Sequence, residues 1–293
     1  MKLYAIGDLH VGHSFNAEAL KQLRPHPDDG LILCGDIGET NAHLELAFDA
    51  ATKNFKDVWW CPGNHELYTM TLHTELRGEA KYAECVRIAR KYGVTTPEDE
   101  FTLWEGDGEA VIVAPIFTLY DYSFRPPHVS KEGALAWAQE ADTVATDEFL
   151  LHPDPFPSRE EWCHALVAKA EQKLGEANNK DLPLIIVNHW PLREDLVYIP
   201  RVPRFILWCG TKKTELWHTK FENTKVVVSG HLHVPRTDWK DGVRFEECSL
   251  GYPRQWESAR TRGMDINDLL REIWPGPPEP ASSTSETQWR RYG

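Results

Sequence analysis

The segment Lys2-Leu3-Tyr4-Ala5-Ile6-Gly7-Asp8-Leu9-His10 decides how the rest of the chain is read. Residues 2–6 form a short, mostly apolar strand, which stops at a glycine followed by a carboxylate and an imidazole. The pattern returns twice: residues 31–34 lead into Gly35-Asp36, and residues 58–61 lead into Pro62-Gly63-Asn64-His65-Glu66. Between these two runs, residues 41–55 carry Leu44, Ala47, Phe48, Ala51 and Phe55 at helical spacing. Strand, helix and strand in alternation predict parallel strands with functional residues at their carboxyl ends.

Further strands are expected at 110–116 and 183–187, the second ending in Asn188-His189. Residues 225–229 run into Gly230-His231-Leu232-His233, and Asp241-Gly242 is a hairpin turn into a strand at 243–248. The second half should therefore change to antiparallel pairing. Residues 120–182 read as a helical insertion, with helices at 131–148 and 158–175 around a Pro-rich break at 152–157, placed to cap the cleft. A second insertion, 191–218, carries Arg193, Tyr198, Arg201, Arg204, Trp208 and Trp217; it is either a substrate wall or a loop with half-buried aromatics. Residues 274–293 are rich in Pro and Ser and are expected to form a flexible tail behind one domain, 1–273.

With 41% hydrophobic and 26% charged residues, the 293-residue chain has the composition of a globular protein. No apolar run reaches membrane-spanning length, and Asp8 falls too early for a signal peptide, so a cytoplasmic protein without a membrane partner is expected. Six scattered cysteines without a C-x-x-C pair read as reduced thiols. A net charge of −13 argues against nucleic acid as a partner. Two bound divalent cations would nevertheless make one cleft locally positive. The pattern does not set an oligomeric state.

Asp8, His10, Asp36, Asn64, His65, His189, His231 and His233 all follow strand ends, and all offer oxygen or imidazole nitrogen. Mixed hard oxygen and imidazole donors suit Mn2+, Fe2+ or Zn2+ better than Ca2+ or a structural zinc. They are too many for one tetrahedral site and enough for two ions that share a carboxylate. In Asp8-Leu9-His10, positions i and i+2 of an extended segment face the same side and so reach one ion. Glycine ahead of a ligand leaves room for close approach or unusual dihedrals. A lone Asp-x-His is a weak signal, since most histidines near strand ends are packing or capping residues. Five polar groups, each closing an apolar strand, carry much more weight together.

In order, D-x-H, G-D, G-N-H-[DE], a separate H and G-H-x-H span residues 2–248, and this arrangement resembles the calcineurin-like metallophosphoesterases. The resemblance implies an α/β fold of mixed α+β character: a four-layer α/β/β/α sandwich of two mixed β-sheets flanked by helices. By residue, it implies that Asp8, His10 and His233 bind one metal ion, that Asp36 bridges both, and that Asn64, His189 and His231 bind the second. His65 would stand near the leaving oxygen, with Asn64 and His65 facing the substrate and Asp36 and His65 essential to catalysis. Gly35-Asp36 continues as Ile37-Gly38-Glu39, unlike the D-R-G of Ser/Thr protein phosphatases, which argues against that activity.

The expected reaction is hydrolysis of a small-molecule phosphate ester, mono- or diester, by a hydroxide bridging two divalent metal ions (Mn2+, Fe2+ or Zn2+). His65, oriented by a carboxylate, would serve as acid; its plainer reading is a residue that steadies Asn64. His13, Arg193 and Arg254 are ordinary surface residues unless the fold brings them to the phosphate. The alternatives are a nuclease of the same family, which needs a basic track, and a non-catalytic metal-binding scaffold, which predicts missing ligands.

Overall fold

In the computed structural model, which describes residues 1–278 and 287–290, strand β1 (Leu3–Ile6) runs parallel to β2 (His26–Cys34), and β2 runs parallel to β3 (Phe55–Cys61). Helix α1 (Ser14–Leu20) follows β1, and α2 (Asn41–Asn54) links β2 to β3, as the helical spacing predicts. Thr40 caps α2 by accepting from the His43 amide. The short helix α3 (Asn64–Leu67) and the longer α4 (Gly78–Lys91) come next. Strands β4 (Thr102–Trp104), β5 (Val111–Pro115), β6 (Leu184–Val187), β7 (Thr224–Ser229), β8 (Arg236–Lys240) and β9 (Val243–Glu247) belong to a second sheet.

Strand β10 (Arg271–Trp274) joins the first sheet beside β1, and β11 (Gln288–Trp289) joins the second, giving orders β10-β1-β2-β3 and β11-β8-β9-β7-β6-β5-β4. Antiparallel pairing in the second half involves the β8–β9 hairpin and the two edge strands, while β7 pairs with β9 in parallel. The hairpin turns at Asp241 (φ 54°) and Gly242 (φ 78°).

The inner stretches 31–34, 58–61, 111–115, 184–187 and 226–228 are apolar because both faces are covered, whereas β8 and β9 carry charged residues. Ile32, Cys34, Trp59 and Cys61 pack against Val113, Ile185, Val187 and Val226 between the sheets. Leu31, Leu33, Val58 and Trp60 turn outward with α2 and α4, where Phe48 meets Trp60 edge-on at 5.7 Å. On the other side α7 (Arg159–Asn178) covers the larger sheet: Trp162 meets Phe117 at 5.5 Å, and Asn178 bonds Asn223 ahead of β7. The layers are helix, sheet, sheet, helix, the expected α/β/β/α sandwich.

Two local expectations are corrected. The helix foreseen at 131–148 is two short pieces, α5 (Ala134–Gln139) and α6 (Asp147–Leu150), interrupted where Asp142 takes a positive φ of 51°. The flexible tail does not begin at 274. Trp274 ends the strand that pairs with β1, Gln288 and Trp289 pair with β8, and Arg290 bonds buried Glu246 at 2.7 Å. This pairing rests on backbone amides and arginine charge, which low hydrophobicity does not report. Residues 279–286 and 291–293 of that tail lie outside the described residues.

Phe48 is fully buried. Phe48→Ala should lower unfolding free energy by about 3–5 kcal/mol in a urea melt; a loss under about 1 kcal/mol would contradict the packing of α2 on β3.

Candidate metal centre

The carboxyl ends of β1, β2, β3, β6 and β7 meet along one edge, and backbone bonds lock the turns that leave them. Asp8 N–H donates to Gly35 O (2.8 Å), His10 N–H to Asp36 O (3.0 Å) and Gly230 N–H to His189 O (3.0 Å). Gly7 N–H donates to Cys248 O at 2.9 Å, joining the two sheets at this edge. Asp8, His10, Asp36, His231 and His233 all carry positive φ, between 41° and 72°. The donors therefore converge from tight turns, and Asp8 and His10 share a site without the extended geometry expected of them. Close approach explains the glycines best: a side chain on Gly63 would collide with the Asp36 carboxylate.

Two donor groups contain Asp36, and a third joins His10, Glu39 and His65. Asp8, His10, Asp36 and His233 offer ligand atoms within 4.8 Å of one another, and Asp36, His189 and His231 form a second such group. Asp36 belongs to both. Its Oδ2 lies 3.9 Å from His10 Nε2, and its Oδ1 lies 3.5 Å from His189 Nε2. His233 Nε2 is 3.0 Å from Asp8 Oδ1 and 3.1 Å from His10 Nε2.

The far side of the rings fixes which nitrogen is free to coordinate. His189 Nδ1–H donates to Cys34 O (2.9 Å) and His233 Nδ1–H donates to Gln255 Oε1 (2.8 Å), leaving each Nε2 lone pair facing the carboxylates. Lone pairs directed at buried carboxylates are repulsive unless a cation or proton lies between them. Asn64 gives a second indication. Its Nδ2 donates to Tyr68 OH (2.9 Å) and Asp147 Oδ1 (3.0 Å), while its Oδ1 is buried without a partner. The donor set therefore fits a pair of divalent cations. Burial pushes Asp8 up, but His233, His189 and His10 around it pull its carboxyl well below the usual range.

His65 stands beside this set, with Nε2 at 3.8 Å from Asp36 Oδ2 and Nδ1 donating to Glu39 Oε1 at 2.8 Å. Burial disfavours its charge, but the carboxylates of Asp36, Glu39 and Asp147 outweigh that and raise its pKa to about 9. The orienting carboxylate is Glu39, not the adjacent Glu66. Glu66 is buried and accepts the backbone N–H groups of Asp36 (3.0 Å), Ile37 (2.9 Å) and Gly63 (2.9 Å), binding the ends of β2 and β3 together.

Tyr252 stacks on His10 at 4.4 Å, Ser249 Oγ donates to Asp8 Oδ2 at 2.7 Å, and Phe205 of the second insertion stacks on His231 at 5.8 Å. Sequence reading missed Glu39, Asp147, Ser249, Tyr252 and Gln255; only Glu39, three residues past Asp36, carried a local signal. Arg193 is tied to Asp195 by two bonds, at 2.9 and 3.0 Å, Arg254 is exposed, and His13 is exposed beside Tyr252.

Two facing sheets with carboxylate, amide and imidazole donors on one edge define a metal-dependent phosphoesterase, and the chain belongs to the calcineurin-like phosphoesterase family, whose description matches residues 1–235. It is a metal-dependent phosphoric ester hydrolase. Over 278 residues, 94% of this chain and 84% of the relative, it is 43% identical to the acyl-carrier-protein phosphodiesterase PptH of Mycobacterium tuberculosis. The crystal structure of phosphopantetheinyl hydrolase PptH from that organism aligns with a TM-score of 0.88 at 43% identity, covering 96% of this chain and 98% of that one. A dimetal phosphatase from Danio rerio, 12% identical, aligns with a TM-score of 0.46 over 86% of this chain and 87% of that one. Among the described residues, no helix is long and apolar enough to cross a membrane.

Glu66→Ala would leave three buried amides without an acceptor. We expect a loss of about 3 kcal/mol or more in chemical denaturation, together with reduced metal content by elemental analysis. Unchanged stability and metal content would remove Glu66 from the support of Asp36.

Proposed function

We propose that this chain hydrolyses the phosphodiester linking a phosphopantetheinyl group to an acyl-carrier protein. The metal ions would be held by Asp8, His10 and His233 on one side and by Asn64, His189 and His231 on the other, with Asp36 shared. The observation that carries the site is the presence of Asp36 in both donor groups. What carries the substrate is 43% identity to a relative with that activity, along nearly the whole chain. Free small-molecule esters then serve as surrogates for a protein-borne one. A net charge of −13 supports this reading over a nuclease. Mixed oxygen and nitrogen donors favour Mn2+, Fe2+ or Zn2+, and six free, buried cysteines favour a cytoplasmic setting.

When bound, divalent cations supply Lewis-acid charge for the phosphoryl oxygens and lower the pKa of water. The remaining work belongs to side chains. Asn64 and His65 lie at the ester. Hydrolysis places hydroxyl on phosphorus and breaks the bond to the leaving oxygen, which takes up a proton; His65 Nε2 donates it. Glu39 holds the ring through Nδ1 so that Nε2 stays aimed at that oxygen.

Asp36→Ala should abolish hydrolysis of bis(p-nitrophenyl) phosphate and lower bound metal, as should chelation, with Mn2+ restoring only the wild type. An active Asp36→Ala enzyme would overturn the centre. His65→Gln should keep its metal and lose about 10²–10⁴-fold in kcat on an alkyl ester, with a smaller loss for a nitrophenol leaving group, which needs no proton. Equal losses for both leaving groups would remove the acid role.

A further inference from the structure

Beside the metal centre a cavity of about 540 Å³ opens to solvent, walled by the turn after His10, the start of α2 and the first turn of α4. Glu39 connects the two, since it lines the cavity and also accepts from His65. Lys81 of α4 also lines it. Lys81 is only 1% exposed, yet among the described residues its ammonium has no hydrogen-bond or ion-pair partner. Its tip reaches the solvent of the cavity, and the carboxylate of Glu84, which feels its charge, is already bonded to Arg87 and Asn41, so an anion entering the cavity would meet an available ammonium.

The other walls also offer donors. The first turn of the 14-residue helix α2 faces the cavity, and the amides of Asn41 and Ala42 have no carbonyl to bond within the helix. His43 accepts the Glu39 amide on Nδ1 (3.1 Å), which places the proton of its neutral ring on Nε2. The acids nearby are committed. Glu39 is held by His65 at 2.8 Å and lies 3.4 Å from His43 Nδ1, and Glu84 is bonded to Arg87 and Asn41.

We propose that this cavity is an anion subsite that binds a second oxyanion of the substrate, a phosphate or carboxylate apart from the scissile phosphate, with Lys81 and the α2 N-terminus as its charge. The phosphopantetheinyl arm has no oxyanion besides the scissile phosphate, so the subsite would serve a further phosphodiester that bears one on a slender arm, rather than a carboxylate fixed on the surface of a carrier protein. The subsite is a specificity device, and it rests on the reading of the neighbouring centre as the place of hydrolysis.

The manganese-loaded enzyme is tested on two p-nitrophenyl diesters of thymidine, identical except that one carries an additional phosphate on the sugar, and on phosphopantetheinyl acyl-carrier protein. Wild type should favour the additional phosphate. In Lys81→Met the ratio of kcat/KM between the two diesters should fall by about 10- to 100-fold, through KM, while Lys81→Arg keeps it. Ala42→Asp, an exposed change that an acid at a helix start tolerates, should lower the same ratio and decides the matter if Lys81→Met does not fold. An unchanged ratio in the Lys81→Met and Ala42→Asp variants would overturn the subsite. A loss confined to the carrier-protein substrate would also overturn it and assign Lys81 to a carboxylate of the carrier. A metal-loaded wild type that hydrolyses none of these esters defeats instead the reading of the centre, and the subsite with it.

Discussion

The Asp36 carboxylate sets the geometry of the whole edge. One oxygen faces His10 and His65, at 3.9 and 3.8 Å, and the other faces His189 at 3.5 Å while accepting the His65 amide at 2.9 Å. A carboxylate buried to this degree among imidazoles is tolerable only if positive charge accompanies it. Its backbone is in turn tied by Glu66 to the loop leaving β3. Moving Asp36 would disturb both donor groups together, since it is the member they have in common.

Holding the donors so close requires backbone shapes that side chains resist. Five of the candidate ligands occupy the left-handed region, each at a cost of about 1–3 kcal/mol. What sustains them is the frame behind: strands buried on both faces, a backbone bond joining the two sheets at the edge, and bonds between successive turns. The strain lies at the strand ends, where the chain must turn to present carboxylate and imidazole to a common point.

Around this centre the surroundings are uneven. The two insertions build one side, with Asp147 bonded to Asn64, Phe205 stacked on His231 and Trp208 bonded to Glu148. The opposite side is the donor-lined cavity of Lys81 and α2. Much of α7 belongs to the core, so only part of the first insertion reaches the centre. A chain with a large negative net charge thus has a cleft flanked by a lysine ammonium and imidazoles, where an anionic ester meets little of the overall repulsion.

The candidate donors and the parallel order of the first three strands could be read from residue spacing, because both depend on neighbours in the chain: an apolar run followed at once by its turn and its polar group. Long-range pairing was not legible. Nothing local distinguishes Glu39, which orients His65, from Glu66, which caps backbone amides, and Asn64 and Asp147 are 83 positions apart. Strands β10 and β11 escaped for the same reason, since an edge strand is defined by the partner that accepts its hydrogen bonds. By itself the sequence nominated the candidate donor atoms. Tertiary structure alone decided which of them face one another, because that depends on how the two sheets are set together.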